Sequence, residues 1–203
     1  MSDNSNMADP STVGLAAYGL GLFCLACVVA GIAGAAPMAL IIPLTLFVGV
    51  VHLFVGAVGF KKGELFTALA FKIYGIFWLT FGIMQLGASL KWFAPPGDTI
   101  MMIFYLAFTI FTTYVFIGTL LTCTAVILTI GSLWIIFALL TLSIYLSNPA
   151  LATYAGYLGI YSALNGFYVS AGGLLNTMYG RAVLPMGSAW ASATPPSDQS
   201  RSV

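Results

Sequence analysis

Charge is scarce in this sequence. Only 5% of its 203 residues are Asp, Glu, Lys or Arg, while 61% are hydrophobic. A soluble domain carries roughly 25% charged residues, so this chain cannot build a water-exposed surface and its bulk solvent is lipid. The formal net charge of +1 gives no basis for a nucleic-acid or acidic partner. Asp3, Asp9, Glu64, Asp98 and Asp198 all fall in tails or loops. No span therefore holds the buried carboxylate on which many proton- and sodium-driven transporters rely. With 1 histidine and 3 cysteines there is no metal cluster, and no Ser-His-Asp set or phosphate loop is present. An enzyme is thereby disfavoured, intramembrane proteases included, and no cofactor is expected. Cys24 and Cys27 lie one helical turn apart but lack a second ligand pair, so with Cys123 they read as small buried hydrophobes. The first 12 residues lack a positively charged n-region, so the first apolar run is expected to be a retained span rather than a cleaved signal.

Long apolar runs are what remains. A helical span needs about 20 mostly apolar residues, and the runs here are continuous rather than alternating as barrel strands would be. They predict an all-α integral membrane protein, a bundle of six transmembrane helices over residues 13–34, 38–60, 65–90, 100–120, 123–146 and 151–175. The spans form one domain over residues 13–178, flanked by tails over residues 1–12 and 179–203. The segment from about Ser188 is rich in Ser, Ala and Pro and reads as flexible. Lys61, Lys62, Arg181 and Arg201 lie on one side and Lys91 on the other, so both termini and the loop between spans two and three are predicted to be cytoplasmic.

Small residues recur every four positions, Ala26, Ala30 and Gly34 in span one and Ala155, Gly159 and Ala163 in span six. Such rows let backbones approach closely in lipid, within a tight bundle or across a subunit interface. Pro43 predicts a kink or local opening of span two. Asn148-Pro149 is the signature of a capped helix start, and a weak likeness to Asp9-Pro10 does not make a repeat.

Two ionisable residues lie within spans. His52 is 9 residues before Lys61, and Lys72 is 8 residues after Glu64. Both are about 12–14 Å from the same loop at a rise of ~1.5 Å per residue. A charge at that depth costs at least about 2.5–3.5 kcal/mol, which points to an anion site or pathway. The plainer readings are a neutral, hydrogen-bonded His52 and a Lys72 whose long stem snorkels to the cytoplasmic surface. Thr67, Phe71, Tyr74 and Trp78 share one face of span three, either lining a pore or packing as bundle core. Lys72 points away from that face.

The run Lys61-Lys62-Gly63, Thr67, Ala70-Phe71, Tyr74-Gly75 and Phe77-Trp78-Leu79-Thr80 resembles the acetate uptake transporter family, which includes bacterial succinate–acetate permeases. Gly118-Thr119-Leu120, Ala155-Gly156, Asn176, Gly180-Arg181 and Val183-Leu184-Pro185 with Gly187 agree in order and spacing, so the likeness covers nearly the whole chain. The family's N-terminal signature, Asn-Pro-Ala-Pro-Leu-Gly-Leu, appears as Asp9-Pro10-Ser11-Thr12-Val13-Gly14-Leu15. The resemblance implies a six-helix protomer in a homohexameric ring, with a pore through each protomer. It also implies an apolar constriction, which falls on Tyr18, Tyr74 and Leu133. The family usually has phenylalanine at the first of these, so Tyr18 adds a hydroxyl. His52 and Lys72 replace a glutamine and a small polar residue.

The expected function is a channel or permease for acetate and other small carboxylates, succinate included. Thr67, Phe71, His52 and Asn165 are the candidate substrate-binding residues, and Lys72 is a candidate charge site. Two other readings remain at this point: a channel for water, urea or ammonia, and a non-transporting membrane scaffold supported by the packing rows alone.

Overall fold

The computed structural model describes residues 8–34 and 38–192. The link at 35–37 and residues Asp3, Asp198 and Arg201 lie outside the described residues. Six α-helices follow in chain order: α1 Ser11–Val29, α2 Met38–Lys62, α3 Leu65–Ser89, α4 Asp98–Thr119, α5 Thr124–Tyr145 and α6 Pro149–Tyr179. Five are long and apolar enough to cross a bilayer by length and composition. The sixth, α6, is the longest at 31 residues, is diluted by Gly, Ser, Thr and Asn, and packs between α1 and α5.

Helix ends follow local chemistry. Asn148 caps α6 by accepting from the Ala150 N–H at 3.2 Å, with Pro149 at the first position, as the dipeptide implied. The far end of α6 stops at Gly180, whose φ of 62° is the left-handed conformation that glycine adopts without steric penalty. α1 ends at Val29, earlier than the apolar run suggested, because Gly31 turns to φ 77°. α2 runs unbroken through Pro43, so the helix is not opened there.

Each helix packs on its chain neighbours, and α6 closes back on α1. The result is a ring of antiparallel helices. The starts of α1, α3 and α5 and the ends of α2, α4 and α6 share one end. The α1–α6 crossing uses the two small-residue rows against each other. Ala26, Ala155 and Ala163 are all buried, and a Cβ added at Gly156 would collide with the backbone of Ala30. The rows thus serve the inside of the protomer.

The chain after α6 is not a free tail along its described length. Asn176 accepts the N–H groups of Val183 at 2.6 Å and Leu184 at 2.9 Å, and donates to the Leu184 carbonyl at 3.0 Å. The strap so formed satisfies helix ends that would otherwise be orphaned. The Ala125 N–H donates to the Met186 carbonyl at 3.0 Å, and the Trp190 and Ala191 N–H groups donate to the Leu120 carbonyl. Ser188, expected to open a flexible segment, accepts from the Thr124 hydroxyl at 2.7 Å.

Candidate functional site

A cavity of about 360 Å³ opens from the end of the bundle that gathers the start of α1, the α4–α5 turn and the end of α6. Its mouth is polar, with Asp9, Ser11, Thr12, Thr122, Asn176 and Thr177 on the rim. Met186 of the strap also forms part of its wall, against Gly172. Deeper in the ring lies a second, smaller cavity of about 60 Å³, lined among others by Leu22, Phe77, Trp78, Ile136 and Phe137. The residues common to both walls are Tyr18, Tyr74 and Leu133. They come from α1, α3 and α5, and each is buried. The three sequence candidates for a constriction therefore stand together at the junction of vestibule and inner chamber.

Three of the four candidate binding residues line the vestibule: His52, Thr67 and Phe71. The ring of Phe71 lies over Gly14, where any Cβ would collide with it, and meets the His52 ring edge-on at 5.2 Å between centroids. His52 is 1% exposed. Its Nδ1–H donates to the Val48 carbonyl at 2.9 Å, which assigns the proton to that nitrogen in the neutral ring. Nε2 has no hydrogen-bond partner among the described residues and is not sealed from accessible space. It is an acceptor in the neutral ring and a donor once protonated.

The other two sequence candidates point elsewhere. Asn165 lines neither cavity. Its amide donates to the Ala125 carbonyl and the Thr129 hydroxyl, each at 2.9 Å, and so clamps α6 to the first turns of α5. Lys72 runs its stem past Gly56 and sets its ammonium 4.5 Å from the centre of the Phe60 ring, near the α2–α3 loop. That is the snorkelling arrangement. Along the stripe on α3, Thr67 and Phe71 face the vestibule, Tyr74 the junction and Trp78 the inner chamber.

Sequence reasoning passed over the hydroxyl partners of the two tyrosines. The Tyr18 hydroxyl is 2.7 Å from Ser162 on α6, and the Tyr74 hydroxyl donates to Thr112 on α4 at 3.1 Å. Ser162 and Thr112 are both 0% exposed. The available signal was weak: isolated Ser and Thr in apolar helices, which routinely bond their own backbone. Among the described residues, no group of three or more His, Cys, Asp or Glu could hold a metal ion.

A ring of membrane-spanning helices that encloses a polar-mouthed vestibule and a second, smaller chamber defines a polytopic channel- or permease-type protein rather than an enzyme. The chain belongs to the GPR1/FUN34/yaaH family, whose pattern matches residues 1–187. It is 30% identical over 185 residues to the succinate-acetate/proton symporter SatP of Escherichia coli, covering 91% of this chain and 97% of that one. Acetate permease A of Emericella nidulans is 27% identical over 88% of this chain and 65% of its own length. The solved structure of the bacterial acetate channel SatP superposes with a TM-score of 0.85 at 30% identity, covering 90% of this chain and all of that one.

Proposed function

We propose that this protein carries acetate and similar small carboxylates across the membrane, through the vestibule and past a neck made by Tyr18, Tyr74 and Leu133. The observation that carries this reading is that these three residues alone are common to the walls of both cavities. A neck of two rings and an isobutyl group selects by size and by reluctance to hold water. Above it, the Thr67 hydroxyl and His52 Nε2 are the polar groups suited to a carboxyl head, with Phe71 against the methyl end. Neutral His52, with its proton on Nδ1, presents Nε2 as an acceptor for the hydroxyl of the protonated acid. The names of the bacterial symporter, the fungal permease and the bacterial channel support this substrate class.

In this reading both termini and the α2–α3 loop face the cytoplasm, following the basic residues, and the vestibule is the cytoplasmic mouth. The protomer sits in a homohexameric ring. Large side chains on the outer face of α2, Phe47 at 71% exposure and Phe54 at 70%, are available for lipid or for neighbouring protomers. Purified protein in liposomes is expected to give labelled-acetate flux that saturates and is competed by unlabelled acetate. Flux with neither property overturns the proposal. A scaffold without transport would require no path at the level of Tyr74, and the cavities on both sides of that residue argue against it.

A further inference from the structure

The neck contains two phenols, yet the geometry turns both hydroxyls away from the path. Tyr18 and Tyr74 contribute to both cavity walls, whereas their partners Ser162 and Thr112 line neither cavity. Ser162 Oγ lies 2.7 Å from the Tyr18 hydroxyl, 2.8 Å from Ser132 and 3.2 Å from the Thr129 carbonyl, so it can accept the phenolic proton while its own goes to that carbonyl. Thr112 donates to the Phe108 carbonyl at 2.7 Å, so its oxygen accepts from Tyr74. The Tyr74 proton thus enters a short relay that ends on a backbone carbonyl, and the Tyr18 hydroxyl is tied to a buried pair of serine hydroxyls on the surrounding helices. Gly166 on α6 makes the first arrangement sterically possible, because a Cβ there would stand 2.7 Å from the Tyr18 ring.

We propose that Ser162 and Thr112 are positioning residues that keep the neck apolar by holding the hydroxyls of Tyr18 and Tyr74 outside the lumen. The claim rests on the pathway reading above but concerns the polarity of the neck, whatever solute crosses it. A phenol deprived of its acceptor in this dry setting is left unsatisfied. It turns toward the lumen or draws water to itself there, and a wetted neck loses the barrier that an apolar constriction provides.

Osmotic water permeability of proteoliposomes, per reconstituted copy, reads this directly, with labelled-acetate flux measured on the same vesicles. Ser162→Ala and Thr112→Val are each expected to raise water permeability several-fold. Ser162→Thr keeps an acceptor and stays at the wild-type value. In a Tyr18→Phe background Ser162→Ala adds nothing, and in a Tyr74→Phe background Thr112→Val adds nothing, because no hydroxyl is left to release. This non-additivity separates positioning from a general loosening of the bundle, which would raise permeability in every background. Wild-type water permeability in both truncations, or an equal rise with and without the phenol, overturns the proposal. Should Ser162→Ala not fold, the Thr112 and Tyr74 pair decides it. Absence of acetate flux in the wild type overturns the carboxylate reading instead and leaves the water comparison intact.

Discussion

Leu133 separates a gate from a core at the scale of one residue. It is 6% exposed and lies between the two cavities. A plain core leucine cut to alanine costs roughly 2–5 kcal/mol of stability and alters no selectivity. At a neck, Leu133→Ala is expected to admit larger acids such as lactate relative to acetate, measured by competed uptake, with thermal melting followed on the same preparation. Lower melting with unchanged acid preference removes Leu133 from the pathway. His52 carries a second prediction. If Nε2 meets the substrate, acetate flux at a fixed gradient contains a pH-dependent component that is lost in His52→Gln, which keeps a polar group but does not titrate. The permeant acid titrates as well, so the comparison between the two proteins decides, and identical profiles leave His52 as packing.

At the scale of elements, two devices hold the ring in shape. The first is the α1–α6 crossing, where Gly156 faces backbone rather than a flexible side chain. Overpacking of this kind costs about 1–3 kcal/mol, so Gly156→Ala is expected to lower the melting temperature in detergent. An unchanged melting temperature means the crossing is loose. The second is the strap. Asn176 makes three hydrogen bonds to it, two of them accepted from backbone N–H groups. Asn176→Ala is expected to release the strap from the α4–α5 turn and speed trypsin cleavage after Arg181, which is already exposed but held in the strap. Equal cleavage rates in mutant and wild type mean that Trp190 and Thr124 hold it without Asn176.

The whole molecule is a ring whose interior is tapered by its side chains. The far half is narrowed to the small inner chamber by aromatic packing in which Phe77 meets Phe104, Phe108 and Phe137 at centroid distances of 5.6, 5.0 and 5.1 Å. The near half is left open between α1, α3, α5 and α6. Because the small-residue rows are used inside the protomer, an assembly must rely on the large exposed side chains of the outer faces. Native mass spectrometry in mild detergent is expected to find a hexamer, and monomers alone count against the ring.

Much of this architecture was legible in the sequence for a simple reason. In lipid every backbone group must be bonded within its own helix, so apolar run length decides the spans almost by itself. The cap at Asn148 followed from residue type, a local quantity, whereas Tyr18, Tyr74 and Leu133 were placed by the family resemblance. Tertiary structure decided what depends on rotation and on contacts distant in sequence. Lys72 is at a suitable depth but turns toward Phe60, and Asn165 turns toward α5, because a helix position specifies height and leaves azimuth to packing. The strap carried part of the family resemblance at Val183-Leu184-Pro185 and Gly187, but its contacts were illegible because the chain after Gly180 has no periodic signal. Its order comes from orphaned groups at Leu120 and Ala125, about 60 to 70 residues away in the chain. The anchoring of the two phenols is of the same kind. Ser162 lies 144 residues from Tyr18, and only closure of α6 onto α1 brings an acceptor to that hydroxyl.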